Sequence, residues 1–294
     1  MRITLLAAIL TSFFVVMAQT GNRLVATIVD TTGVETEVTG LSSSVDEFGG
    51  LPFGSQGLDI TIKEFKRPPH GVAATFSRWL YFDEIDQLSV AKGGSLTIRL
   101  RSGTTISGSF SFGGPELRGK WTQGEFILPA SSVKSLTVKG TVEKPHVAVR
   151  GTKATITLRD GTVLSAEDVQ RHCVISSGYI NVPASDAHFT TVWIKYKRGV
   201  GDVKAELAFD RIRQIVFDKP VVTNDSYSGG TLCKVILQDG STLSGDCRGD
   251  KQSEDFNSIT GRSAEGPFMI WGDLGYAIQA IKFSDQFSPP SPGH

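Results

Sequence analysis

One six-residue pattern, apolar-x-x-apolar-x-apolar, closes four separate stretches of this chain: "IDQLSV" at 85–90, "VKSLTV" at 133–138, "IRQIVF" at 212–217 and "IQAIKF" at 278–283. A pattern that returns in this way constrains a fold more than any single motif, because each copy must solve the same packing problem. Upstream of each copy lie a strand, a glycine turn and a second strand. Three copies read "SLTIRLRSGTTISGSF" (95–110), "KATITLRDGTVLSAED" (153–168) and "CKVILQDGSTLSGDC" (233–247), and a looser one, "ATIVDTTGVETEVTG", lies at 26–40. Leu96, Ile98 and Leu100 alternate as a half-buried strand requires. Gly103, Gly161 and Gly240 supply the positive φ of a tight hairpin, and Asp160-Gly161 and Asp239-Gly240 are strong hairpin dipeptides. Inside the hexapeptide, the first apolar step of three residues predicts a short 3₁₀-like turn. The second step of two predicts a final strand.

A hairpin, a variable middle and a turn into a last strand make a succession that resembles the small SH3-like and Sm-like barrels. The resemblance implies an all-β chain of four such units and carries no function with it. The composition agrees, since 32 glycines and 17 phenylalanines suit a turn-rich β protein. A second regularity relates the units two by two. "IKEFKR" (62–67) and "FDEI" (82–85) in the first unit answer "IKYKR" (194–198) and "FDRI" (209–212) in the third. The second and fourth share a glycine-led strand, Gly124-Glu125-Phe126-Ile127 and Gly266-Pro267-Phe268-Met269. The expected units span 24–91, 95–139, 153–218 and 231–285, an ancestral pair duplicated, followed by a Pro-rich disordered tail at 286–294. Convergence of short alternating patterns is the competing explanation.

Met1-Arg2, the apolar run Ile3 to Val16 and the small residues before Gln19 read as a signal peptide cleaved near Ala18. The run is short for a membrane span, which needs about 20 apolar residues. An exported mature chain, periplasmic or secreted and without a membrane span, is the expectation. Thirty basic against 30 acidic residues leave no net field for a polyanion, which excludes nucleic acid as a default partner. In an exported chain cysteines invite a disulfide. Cys233 and Cys247 flank one hairpin seven residues either side of Gly240, both on its apolar face, so a cross-strand bridge is open to them. Two buried thiols are the alternative. Cys173 then has no partner within the chain.

No constellation of catalytic residues emerges. His172 and Cys173 are strand neighbours that point to opposite faces. His70, His146 and His188 sit at no metal-ligating spacing, and no C-x-x-C accompanies them, so neither a metal nor a cofactor is expected. "SGSFSFGG" (107–114) lacks a nucleophile elbow, and "RGVGD" (198–202) opens no helix to cradle phosphate. What remains is a recurring basic-aromatic strand. Trp193, Lys195 and Lys197 share one face, and Lys63, Phe65 and Arg67 share another. These residues are candidate contacts for a protein or glycan of the envelope or extracellular space. Edge strands guarded by lysine against aggregation are the simpler explanation, since edge protection alone accounts for the lysines and proline there. The expected function is therefore a non-catalytic binding or structural protein. The alternative is a hydrolase of an envelope polymer, with carboxylates in a groove between the halves.

Overall fold

The computed structural model describes residues 24–45, 47–48, 51–52, 55–66, 72–111, 114–144, 152–172, 188–218, 232–247 and 258–284. The expected signal peptide, Arg67, His70, His146, Cys173 and the C-terminal tail lie outside them.

The chain is all-β. Its first half holds β1 (Val25–Asp30), β2 (Glu35–Ser43), β3 (Glu47–Phe48), β4 (Leu51–Pro52), β5 (Gly57–Lys66), β6 (Val72–Tyr81), β7 (Ile85–Val90), β8 (Ser95–Leu100), β9 (Thr105–Phe110), β10 (Glu116–Trp121), β11 (Gly124–Pro129) and β12 (Val133–Lys139). The second holds β13 (Ala154–Leu158), β14 (Val163–His172), β15 (His188–Phe189), β16 (Thr191–Arg198), β17 (Gly201–Ala208), β18 (Ile212–Phe217), β19 (Leu232–Leu237), β20 (Thr242–Asp246), β21 (Ser258–Ser263), β22 (Gly266–Gly272) and β23 (Ile278–Phe283). Helix is confined, among the described residues, to 3₁₀ turns and the four-residue α1 (Leu274–Ala277).

All four hexapeptides are strands throughout, β7, β12, β18 and β23, and the turn precedes each of them. The expected turn-like step inside the pattern is instead a β-bulge. In each ladder the register skips the second residue of the hexapeptide: Asp86 against Leu100/Arg99, Lys134 against Asp30/Val29, Arg213 against Leu237/Ile236, and Gln279 against Leu158/Thr157. An extra residue puts apolar side chains three apart on the same face, which a regular strand cannot do. Thus Ile85 and Leu88 are both buried, as are Val133 and Leu136.

The pairing order interleaves the sequence. β1 and β2 do not pair with β5; they pair with β12 and β10, from the next stretch along the chain. Reciprocally, β8 and β9 pair with β7 and β5. The resulting first-half order is β11-β10-β2-β1-β12-β7-β8-β9-β5-β6, every neighbour antiparallel. The second half runs β22-β21-β14-β13-β23-β18-β19-β20-β16-β17, the same order strand for strand. β6 pairs with β22, so the halves join into one sheet system that also takes β15 along β14. No pairing among the described residues closes this series on itself.

Four five-strand series are therefore visible, β12-β1-β2-β10-β11, β7-β8-β9-β5-β6, β23-β13-β14-β21-β22 and β18-β19-β20-β16-β17. The hexapeptides meet where series touch. Leu88 of β7 stands opposite Leu136 of β12, and Ile215 of β18 opposite Ile281 of β23, each the fourth residue of its own pattern. Each half has its own apolar core, but Phe65, Ala74 and Phe76 of the first half pack in the core of the second. A third cluster, Trp79, Tyr81 and Met269, covers the β6–β22 joint.

If the seam between hexapeptides carries the fold, Leu136→Ala lowers unfolding free energy by about 2–5 kcal/mol, the usual cost of emptying a fully buried leucine site. Asp86→Ala, at the half-exposed bulge residue with a surface pairing to Arg99, costs less than about 1 kcal/mol. Urea denaturation of the two variants checks the contrast.

Candidate functional site

The first hairpin of every series turns in the same way. The N–H of Asp30, Leu100, Leu158 and Leu237 bonds to Val34, Thr104, Thr162 and Ser241 carbonyls, at 2.8–3.0 Å. Gly33, Gly103, Gly161 and Gly240 each return an N–H to the first of those residues with φ of 84–91°, a conformation open to glycine without strain. The residue after the strand then bonds across the series. Thr31 N–H reaches Ser132 O, Arg101 reaches Glu84, Arg159 reaches Ala277 and Gln238 reaches Arg211, at 2.8–3.0 Å. Each acceptor is the last residue of the turn preceding a hexapeptide.

With the backbones equivalent, the four side chains at this position can be compared directly. Arg101 crosses the seam and donates to Val138 O at 3.0 Å and Gly140 O at 3.1 Å. Arg159 donates to Phe217 O at 2.6 Å and Gly275 O at 3.1 Å. Gln238 stays in its own series, on Ile212 O at 3.2 Å, and a void of about 30 Å³ lies by Phe209, Asp210 and Phe283 at that end of the seam. Thr31 is too short to cross. Where a guanidinium would lie, a cleft of about 610 Å³ opens between the first two series.

Its more buried lining is apolar, from Val90, Phe110 and Val133; the lining also includes the hydroxyl residues Thr31, Ser109 and Ser131 and the exposed lysines Lys92 and Lys134. Both lysines are exposed, and among the described residues neither has an ion-pair partner and no acidic residue lines the cleft. Lys134 is itself a bulge residue, turned out of the ladder by the skipped register. Lys92 stands beside Gly93 and Gly94, whose φ of 103° and 84° make the sharp return to β8.

The residues singled out from sequence lie elsewhere. Phe65 is buried in the second half's core, and Lys63 beside it pairs with Asp160 across the halves, its ammonium also 5.4 Å from the Phe65 ring centroid. On β16, Lys197 pairs with Asp202 at 2.6 Å, and Trp193 lies under the Lys204 ammonium at 4.7 Å. Lys195 is exposed, and its backbone pairs with both Lys204 and Asp246. β5 and β16 occupy the same place in their halves, yet β6 continues into the second half while β17 ends the sheet. Cys233 and Cys247 are joined by a disulfide, with Cα atoms 5.9 Å apart and both residues fully buried.

Carboxylates described between the halves are engaged with cations. Asp160 is pushed up by partial burial, but bonds from Lys63 and Thr162 hold it at about 2. Glu265 pairs with the buried Arg78 across the β6–β22 joint. Asp59, which pairs with Trp79 in the β5–β6 ladder, differs: burial raises it from 3.8 to about 6, against a lowering hydrogen bond from Ser111. Ser111 in turn lies 2.8 Å from Thr61 Oγ1, which is 3.3 Å from Ser77 Oγ. No group of three or more metal-binding side chains converges among the described residues. Compared with known proteins, the chain matches no family model, no curated protein and no solved structure.

No sequence motif marks Thr31, Lys92, Lys134, Ser109 and Ser131 as a site, although a signal for the first is present. The hairpin turns read Arg101-Ser102-Gly103, Arg159-Asp160-Gly161 and Gln238-Asp239-Gly240, against Thr31-Thr32-Gly33. One short side chain among three long ones marks the place where the cleft opens.

Because the folded chain favours protonated Asp59, its contribution is fully present below about pH 4 and lost as pH rises through about 6. The displacement corresponds to about 3 kcal/mol. Asp59→Asn, which mimics the protonated form, is therefore expected to exceed the wild type in stability by up to that amount at pH 7–8 and to equal it at pH 4. Thermal melts across this range check the sign.

Proposed function

We propose that this chain is an exported, non-catalytic binding or interaction protein, built of four SH3-like or Sm-like modules related two by two, whose partner belongs to the cell envelope or extracellular space. The modular reading is supported by the four five-strand series with one order, one bulge and one hairpin turn. Export rests on the N-terminal sequence, and the disulfide suits an oxidising compartment. The observation that carries the binding reading is the cleft at Thr31. A scaffold that repeats its backbone bonds at every hairpin leaves a seam end open there, with two lysines in its lining that have no ion-pair partner among the described residues. Open concave sites with a few converging polar groups on a rigid frame are where ligands bind.

The test uses the mature chain against a panel of immobilised oligosaccharides and peptides, with the soluble fraction followed by mass spectrometry. Saturable binding that Thr31→Arg abolishes, with every panel member recovered intact, is the expected result. Cleaved panel members, or no saturable binding to any of them, would overturn the reading.

A further inference from the structure

We infer that the cleft between Thr31, Lys92 and Lys134 is a site for an anionic saccharide, of which a carboxylated sugar unit is the simplest form. This rests on the binding reading above and names the ligand class for the same site.

Three features of the cleft select that chemistry. First, its charge is local. Lys92 and Lys134 line a cleft with no acidic lining residue among the described residues, in a chain whose formal net charge is +0. A net charge of zero gives an extended polyanion no long-range attraction, whereas a small anion finds two lysines in the lining of one cleft. Both are lysines, flexible point charges without the planar fork that reads a fixed bidentate geometry, so they suit an anion held mainly by its other contacts.

Second, those contacts are available. The hydroxyls of Thr31, Ser109 and Ser131 can each donate and accept, which matches the alternating hydroxyl pattern of a sugar. Phe110, Val90 and Val133 offer an apolar lining against which the C–H face of a pyranose ring can lie. A volume of about 610 Å³ falls in the usual range for small-ligand sites.

Third, the competing ligand class finds no purchase. A peptide commonly adds to a sheet by pairing with a free strand edge. The two strands at the seam, β7 and β12, pair with each other over residues 87–89 and 135–137 and with β8 and β1 on their other sides, which leaves at the cleft end only Val90 and Val133-Lys134 beyond the seam ladder, too short an edge for strand addition. A third strand in the wall, β9, is paired at Ser109 with both β8 and β5, and the rest of the lining is turn. Among the described residues β11 and β17 each have one unpaired edge, but Pro129 removes a donor from one, and Asp202, Lys204 and Glu206 lie along the other strand.

The same reasoning supplies a variant that closes the cleft without touching the lysines. Thr31→Arg restores the side chain found at Arg101 and Arg159, whose guanidinium groups occupy the equivalent space. It copies an arrangement the fold already accepts twice.

The experiment is calorimetric titration of the mature chain with a uronic-acid disaccharide, its neutral counterpart and acetate, at low and high salt. Binding of the uronate is expected, weakened about tenfold or more by 0.5 M salt because both cations are exposed. The neutral disaccharide and acetate are each expected to bind at least about tenfold more weakly, a difference of ~1.4 kcal/mol. Thr31→Arg and the exposed double variant Lys92→Ala/Lys134→Ala should each abolish uronate binding, with circular dichroism spectra unchanged. Equal binding of neutral and acidic sugar, binding retained in both folded variants, or no uronate binding by the wild type would overturn the assignment. In the last case, a panel that still shows Thr31-dependent binding to a peptide or neutral sugar removes the anionic class alone. An empty panel removes the binding reading as well.

Discussion

The architecture depends on a strand that must be paired along both edges while its start is wedged against a turn. β7, β12, β18 and β23 each follow immediately on a helical turn, and each is flanked by a strand of its own series and by a second hexapeptide strand. A regular strand in this position would expose one of its first two apolar residues. The extra residue at Asp86, Lys134, Arg213 or Gln279 resolves the conflict, turning itself out and returning both apolar neighbours to the core. Placing the bulge at the same point four times fixes the register of every first hairpin, because Thr31, Arg101, Arg159 and Gln238 lock their N–H groups onto the preceding turn. What varies between copies is then confined to side chains. That is why a missing arginine reads as a cavity rather than as a rearrangement.

Much of this was legible beforehand and some was not, for physical reasons. Local chemistry was legible. The hairpins at Gly103, Gly161 and Gly240 follow from positive φ and alternation, but of the four hexapeptides only β12 and β23 are the last strands of their series along the chain, since β7 and β18 fall in the middle of the continuous stretches β5–β9 and β16–β20. Their internal three-residue step was misread as a turn because a bulge and a helical turn leave the same apolar spacing in sequence. The partner of each strand was not legible either. Alternation says which face of β2 is buried but not whether β5 or β10 lies beside it, and the chain uses β10. Phe65 shows the same limit. Its strand looked like a surface with aromatic and basic contacts, yet the aromatic ring fills the neighbouring half's core, and Lys63 is committed to Asp160.

The candidate cleft was hidden for a different reason. None of its residues belongs to a motif with chemistry of its own: three hydroxyls, two lysines and a pair of glycines are ordinary surface composition. Their significance is comparative. It appears only when Thr31 is set against the three positions that share its backbone bonds, and that equivalence rests on long-range pairing. The half-buried Asp59 is a similar case, an unremarkable acid in a strand until its place opposite the buried Trp79 is known.

The interleaved order also assigns the segments a sequence in time. The stretch from β5 to β9 contains a whole five-strand series without interruption, as does the stretch from β16 to β20, which ends beside the disulfide. In each half the other series is split, with its opening hairpin made before the uninterrupted stretch and its closing strands after it. Loop-closure entropy favours the continuous block as nucleus, and the split series must wait until its distant ends are both available. A nascent chain thus holds an early hairpin, β1–β2 or β13–β14, with its apolar face uncovered until about a hundred residues later. The opening hairpins, rather than the finished core, are where such a chain is most vulnerable while it is being made.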